Sequence, residues 1–241
     1  MERTPSFPPA TPAKKRGSTG LLVFAVFGFL ATLPFLFRVA FPYFNMDRAH
    51  FGAYGDFFWP RRFELIAHIA TGTIPLLIGP LQMWFGERMQ RMGLHRVLGR
   101  IYVGSIAVSC SLAMYLSITS PNGGAYAMGL FGGAIAWGLT TGMAVVAILY
   151  QNIQQHREWM IRSYVLTFSG FVVFRVLVAG LEALSVWGIG RDGHIQRVTF
   201  AVWASWAFPI LLMEVALQWK RLATSSPSLA LNQPQHEQPQ Y

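Results

Sequence analysis

Two short phrases in this chain carry residue types that could do chemistry, and they nearly repeat one another. The first is His95-Arg96-x3-Arg100-x-Tyr102 and the second is His156-Arg157-x4-Arg162-x-Tyr164. Each stands where a polar stretch turns into a long apolar segment, so both copies fall at the same face of a membrane. Two neutral imidazoles at matched depth on separate helices are what a b-type haem uses as axial ligands, and nearby guanidinium groups are what its propionates need. This reading makes His95 and His156 the iron ligands and Arg96, Arg100, Arg157 and Arg162 the propionate partners, with His68 as a further candidate ligand. No other metal is expected. The same basic residues also suit a quinone, an anionic head group or lipid phosphate.

Such a site needs helices in lipid to position it, and the composition supplies them. The chain has 241 residues, of which 53% are hydrophobic and only 12% charged, and its mean hydropathy is +0.39. Soluble domains carry about 25% charged residues. The net charge of +9 reflects Lys and Arg flanking apolar runs, where they set topology, and gives no support to nucleic-acid binding. The single cysteine, Cys110, excludes an intramolecular disulfide framework and a thiolate metal site of the usual kind. Six segments approach the roughly 20 apolar residues that cross a bilayer core: about 21–41, 63–85, 98–118, 126–150, 160–186 and 198–218. The predicted fold is therefore all-α, a polytopic membrane protein with spans 2–5 as a four-helix core and spans 1 and 6 packed outside. Residues 1–19 and 222–241, rich in Pro, Ser, Thr, Lys and Gln, flank the membrane domain of 20–221 as stretches too polar to fold. The first span follows Lys14-Lys15-Arg16 and is too long for a signal peptide, so it is read as a retained anchor. With the N-terminus inside, twelve Lys and Arg residues lie on the cytoplasmic side, and six (Arg38, Arg48, Arg61, Arg62, Arg191, Arg197) lie opposite. Both termini are thus predicted to be cytoplasmic.

Inside the spans, Pro75 and Pro80 with Gly72 and Gly79 predict a bent or locally broken second helix whose freed carbonyls find partners in its neighbours. Gly129/Gly133 and Gly138/Gly142 predict close approach on two opposite faces of the fourth. The repeated phrase would make spans 2–3 and 4–5 equivalent hairpins, although little else in them matches. An ionisable group at mid-membrane costs roughly 2.5–3.5 kcal/mol and is usually retained for a purpose. Arg175, Glu182 and His68 form such a group on this reading, with Arg175 and Glu182 seven residues apart on one helical face. Glu64, one turn before His68, would fix that ring's tautomer. Glu214 is expected to snorkel to the interface. His50 and His194 fall in outer loops, while Tyr102, Tyr164, Trp84 and Trp159 suit an interfacial aromatic belt. No phosphate loop, His-Glu-x2-His or Gly-x-Ser-x-Gly sequence is present.

The strings His68-Ile-Ala-Thr-Gly72, Gly79-Pro-Leu-Gln82, His95-Arg-Val-Leu-Gly-Arg100-Ile-Tyr102 and His156-Arg-Glu-Trp159-Met-Ile-Arg162-Ser-Tyr164, with Arg175 after them, resemble the bacterial multi-pass membrane proteins of domain of unknown function 2306. The resemblance covers roughly 60–180. It implies a helical protein of the bacterial inner (plasma) membrane and a polar signature of His68, Gln82, His95, Arg96, Arg100, His156, Arg157, Trp159, Arg162 and Arg175, without assigning any of them a role. Glu158 departs from the basic or small residue expected at its place. Three functions fit these residues. The leading one is a membrane redox or quinone-interacting protein, binding haem b and meeting an electron-transfer partner. The others are a small-molecule or proton transporter working through His68, Arg175 and Glu182, and a non-catalytic lipid-binding or assembly protein.

Overall fold

A computed structural model describes residues 18–49, 51, 58–88 and 91–224, and among these there is no strand. The helices are α1 (Ser18–Phe35), α2 (Phe41–Phe44), α3 (Arg62–Arg88), α4 (Met92–Ile118), α5 (Gly124–Leu149), α6 (Ile153–Phe168), α7 (Phe174–Ala183) and α8 (Arg191–Thr224). A π-helical turn, Leu36–Ala40, joins α1 to α2, and a second, Ser169–Val173, joins α6 to α7. Among the described residues, six stretches are long and apolar enough to cross a membrane: Val26–Phe44, Trp59–Gly86, Met92–Ile118, Gly124–Leu149, Ile153–Ala183 and Arg191–Ala223. Continuous helix is what lipid demands, because a backbone N–H or C=O there has no water to bond. The third and fifth spans start earlier than hydropathy indicates, at Met92 and Ile153. Polar residues of an interfacial first turn are helical without being apolar, so His95 and His156 sit inside their helices rather than before them. Helices α1 and α8 likewise reach a short way into the flanking stretches expected to be unstructured, the remainder of which lies outside the described residues, as do His50 and His236.

Successive helices α3, α4, α5 and α6 pack side by side, α1 lies against α3, and α8 lies against α5, α6 and α7. Helix α3 is unbroken across Pro75 and Pro80. Pro80 has no N–H for the carbonyl of Leu76, four residues earlier, and the buried Tyr164 hydroxyl donates to that carbonyl at 3.5 Å. A β-carbon on Gly79 would run into the Tyr164 ring, and one on Gly72 into the Phe171 ring. The glycines of α3 therefore let two aromatic rings from the fifth span lie against its backbone.

In α5 the two glycine pairs behave differently. A β-carbon on Gly129 would lie 2.6 Å from Val202, and one on Gly133 would lie 3.1 Å from Trp206, so this pair seats α8. The indole N–H groups of Trp206 and Trp203 then donate to the carbonyls of Gly129 and Ala125, at 3.1 and 2.9 Å. Gly138 keeps an ordinary contact distance from Cys110, and nothing lies within 4 Å of a β-carbon at Gly142. The expected second close approach is absent among the described residues. Helical spacing placed the pairs on opposite faces, but spacing does not say whether a neighbour comes near.

Tyr102 and Tyr164 are not belt residues: they are 0% and 2% exposed. Two turns past the histidine of each phrase, the ring points into the bundle. The Tyr102 hydroxyl bonds Ser163 (3.0 Å) and Thr167 (3.4 Å). Ser163 bonds Thr141 at 2.8 Å, and the Trp137 indole donates to Thr167 at 2.8 Å. This layer ties α4, α5 and α6 together across the core, as interhelical hydroxyl bonds do in membranes.

Candidate functional site

The structure separates the polar residues into two places at opposite ends of the bundle. At one end a cavity of about 210 Å³ opens among all six spans, with His68 and Arg175 in a wall otherwise built largely from apolar and aromatic side chains, among them Phe35, Trp137, Phe171 and Trp206. Phe58, Ser120 and Tyr126 mark its outer rim, beside the connections that precede α3 and α5.

His68 is held by two neighbours, Ser109 and Phe171. Its Nδ1 lies 3.0 Å from the Ser109 carbonyl, and the Ser109 hydroxyl donates back to the His68 carbonyl at 3.1 Å. That pairing makes Nδ1 the donor and leaves Nε2 as the lone-pair nitrogen of a cavity-lining ring. The imidazole stacks on Phe171, with centroids 5.5 Å apart and planes 21° from parallel. Phe171 belongs to the π turn Ser169–Val173 and also meets Phe35 and Trp137 edge to face. An extra residue in a helical turn rotates the side chains beyond it, and here the turn lays Phe171 against the groove at Gly72. Ser109, not Glu64, therefore sets the tautomer, because the carbonyl and hydroxyl of α4 meet the ring directly. One turn beyond Phe171, Arg175 comes within electrostatic reach of His68, its guanidinium 5.2 Å from the Phe174 ring.

Glu182 does not join them. One of its oxygens lies 2.5 Å from His194 Nδ1, and the other lies 2.9 Å from Arg197. Arg197, 4% exposed, also donates to the carbonyls of Val186 (2.8 Å) and Gly188 (2.5 Å). The expected Arg175–Glu182 pair fails because seven residues are about 10 Å of helical rise, while the first turns of α8 bring two partners within bonding distance. His194 is thus a member of a clamp on the loop, not a solvated side chain.

At the other end, His95 and His156 lie within electrostatic reach of each other. His156 Nδ1 donates to the Ala144 carbonyl at 2.8 Å. The Gln82 amide nitrogen donates to the His95 carbonyl at 3.0 Å. Gln82 Oε1 and His95 Nδ1 are both buried with no hydrogen-bond partner. The arginines divide: Arg96, Arg100 and Arg157 are exposed, whereas Arg162 is buried and bonded to Glu214 through Nε (3.0 Å) and Nη2 (2.5 Å), with Glu158 at 3.9 Å. Glu158 also pairs with Arg221. Glu214 therefore anchors α8 to α6 rather than snorkelling, and Arg162 is already neutralised, which removes it from a propionate-binding set. Trp84 and Trp159 serve as platforms for Arg88 and Arg162, at 3.7 and 4.8 Å.

Among the described residues no group of three or more His, Cys, Asp or Glu side chains is arranged to hold a metal. Sequence reasoning missed Ser109, Phe171, Trp137 and Trp206, since an apolar or hydroxyl residue within a span carries no signal of the side it faces. Comparison with known proteins yields one family, described as "Predicted membrane protein (DUF2306)", which matches residues 65–217, more than half of the chain. No curated protein and no solved structure matches.

Proposed function

The chain belongs to that family of membrane proteins of unknown function, and on that premise we propose that it binds the head of a quinone, or a planar carbonyl compound of similar size, in the cavity of His68 and Arg175. The observation that carries this reading is the pairing, in one aromatic-walled cavity of about 210 Å³, of an imidazole with a fixed tautomer and a guanidinium that no carboxylate among the described residues neutralises. Ligand sites are mostly apolar with a few convergent polar groups. A quinone ring fills the apolar part by stacking. Its carbonyl oxygens accept from Arg175, and a hydroxyl of the reduced form donates to His68 Nε2. In a low-dielectric setting such bonds are worth far more than in water. The redox reading thereby moves from His95 and His156, which do not line the cavity, to His68, which does. Transport is less well served: Glu182 is withdrawn from the cavity, and the Tyr102–Ser163–Thr141 layer closes the bundle beneath it. An electron-transfer partner and membrane lipid around the spans belong to the same proposal.

The test uses the full chain in detergent and a short-chain benzoquinone, read by quenching of tryptophan fluorescence. Saturable quenching is expected, with affinity at least about tenfold weaker, or 1.4 kcal/mol, in both Arg175→Met and His68→Leu. Linear, non-saturating quenching equal in all three proteins would sink the reading. Orientation is proposed from the basic residues: both termini lie in the cytoplasm and the cavity faces outward. A reporter at Gly123 should accordingly read external and one after Lys220 cytoplasmic, and the reverse result would turn the molecule over.

A further inference from the structure

On the reading that the cavity takes a quinone-like ring, we infer that its ligand is a membrane-dissolved molecule with a hydrocarbon tail. It enters sideways from the bilayer through a gap between spans 1 and 6, and its tail lies out across Gly170. Of the residues that line the cavity, only Gly170 and Arg175 are exposed at the surface of the bundle; the others, those of the outer rim included, are buried or half-buried. Both exposed residues belong to the fifth span. Across its π turn the Phe174 N–H bonds the Ser169 carbonyl five residues back. Residues five apart therefore stand one above the other there, which puts Gly170 and Arg175 on one face. A β-carbon at Gly170 would meet nothing within 4 Å, so at this point no side chain closes the cavity wall.

What lies outside the opening decides what can pass through it. Span 1 packs on span 2 and reaches the π turn, while span 6 packs on spans 4 and 5. Spans 1 and 6 are not packed along each other, so the face of span 5 between them is left to lipid. Gly170 lies thirteen residues before Ala183, where the fifth span ends, roughly 20 Å below that end by helical rise. In a hydrocarbon core about 30 Å thick that is the depth of acyl chains, not of water. Phe35 of span 1 and Trp206 of span 6 line the way in to His68, so a flat apolar ring meets like surface on both sides. Arg175 stands at the threshold. An exposed arginine within a span is costly unless a polar group meets it, and a ring carbonyl arriving from the lipid is such a group. A tail that trails over Gly170 stays in hydrocarbon throughout, and only the polar head has to find new partners.

The experiment takes the full chain in detergent and compares two probes at equilibrium, a tail-less dimethoxybenzoquinone and the same ring carrying a decyl tail. Binding is read by quenching of tryptophan fluorescence, since Trp137 and Trp206 line the cavity. Gly170→Leu fills the gap without striking a neighbour. It should weaken binding of the decyl probe by at least about tenfold and leave that of the tail-less ring nearly unchanged. Gly142→Leu, which also points into open space, should alter neither. Gly170→Ala should show the same selectivity in smaller measure, and it decides the matter if the leucine variant fails to fold. Equal weakening of both probes, or of neither, would overturn the sideways passage while leaving the ring site standing. Failure of both probes to bind the unaltered protein would remove the ring site itself, and the passage with it.

Discussion

His68 with Arg175, at the cavity end, and His156 with Arg162, at the other, are the same two residue types, the first pair drawn from two helices and the second from one, yet the bundle treats them differently. Arg162 is buried against Glu214 with Glu158 close by, so its charge serves to hold α8 to α6. Arg175 has no such carboxylate among the described residues: the acid that sequence spacing offers it, Glu182, is taken by His194 and Arg197. An arginine in a membrane protein becomes a structural tie where a carboxylate reaches it, and a ligand-binding group where none does. Which of the two it becomes depends on the helix opposite, not on the motif around it.

The largest expected effect tests the structural end. Arg162→Met leaves Glu214 without its partner, a loss smaller than the roughly 3–5 kcal/mol of a fully buried pair, because the Glu214 side chain is 44% exposed and Glu158 keeps Arg221. Adding Glu214→Leu should restore much of it, which thermal unfolding in detergent would register. If the double variant were no more stable than the single, the two charges would not serve each other. At the cavity end, Gly72→Ala forces Phe171 away from α3 and should cost about 1–3 kcal/mol through overpacking, together with weaker quinone binding as the His68 stack shifts. Gly142→Ala, where a β-carbon meets open space, should do neither. Equal outcomes for the two glycines would remove the basis for calling only one of them a packing contact. The smallest effect belongs to Arg96→Gln: an exposed side chain away from the ion pairs should leave stability within about 0.5 kcal/mol, so a substantial drop would mean that the exposed and buried arginines are not distinct classes.

Much of this molecule was legible without a structure, and the reason is local. Six apolar stretches of sufficient length determine six helices, because backbone groups in lipid must be satisfied within the helix itself. The same helical periodicity put Gly129 and Gly133 on one face and brought His95 and His156 to one end. The freed carbonyl below Pro80 was expected to find a neighbour, and Tyr164 is that neighbour. What tertiary structure alone decided was who stands opposite. Spacing along one helix places Glu182 on the face of Arg175, but an ion pair forms over a few ångströms and α8 is nearer. It places Glu64 beside His68, while Ser109, 41 residues away in the chain, holds the ring. It gives Tyr102 and Tyr164 the look of interfacial residues, although both rings are buried. Helix formation is settled between residues a turn apart, whereas a site is made by rotations and contacts between helices that no single helix encodes.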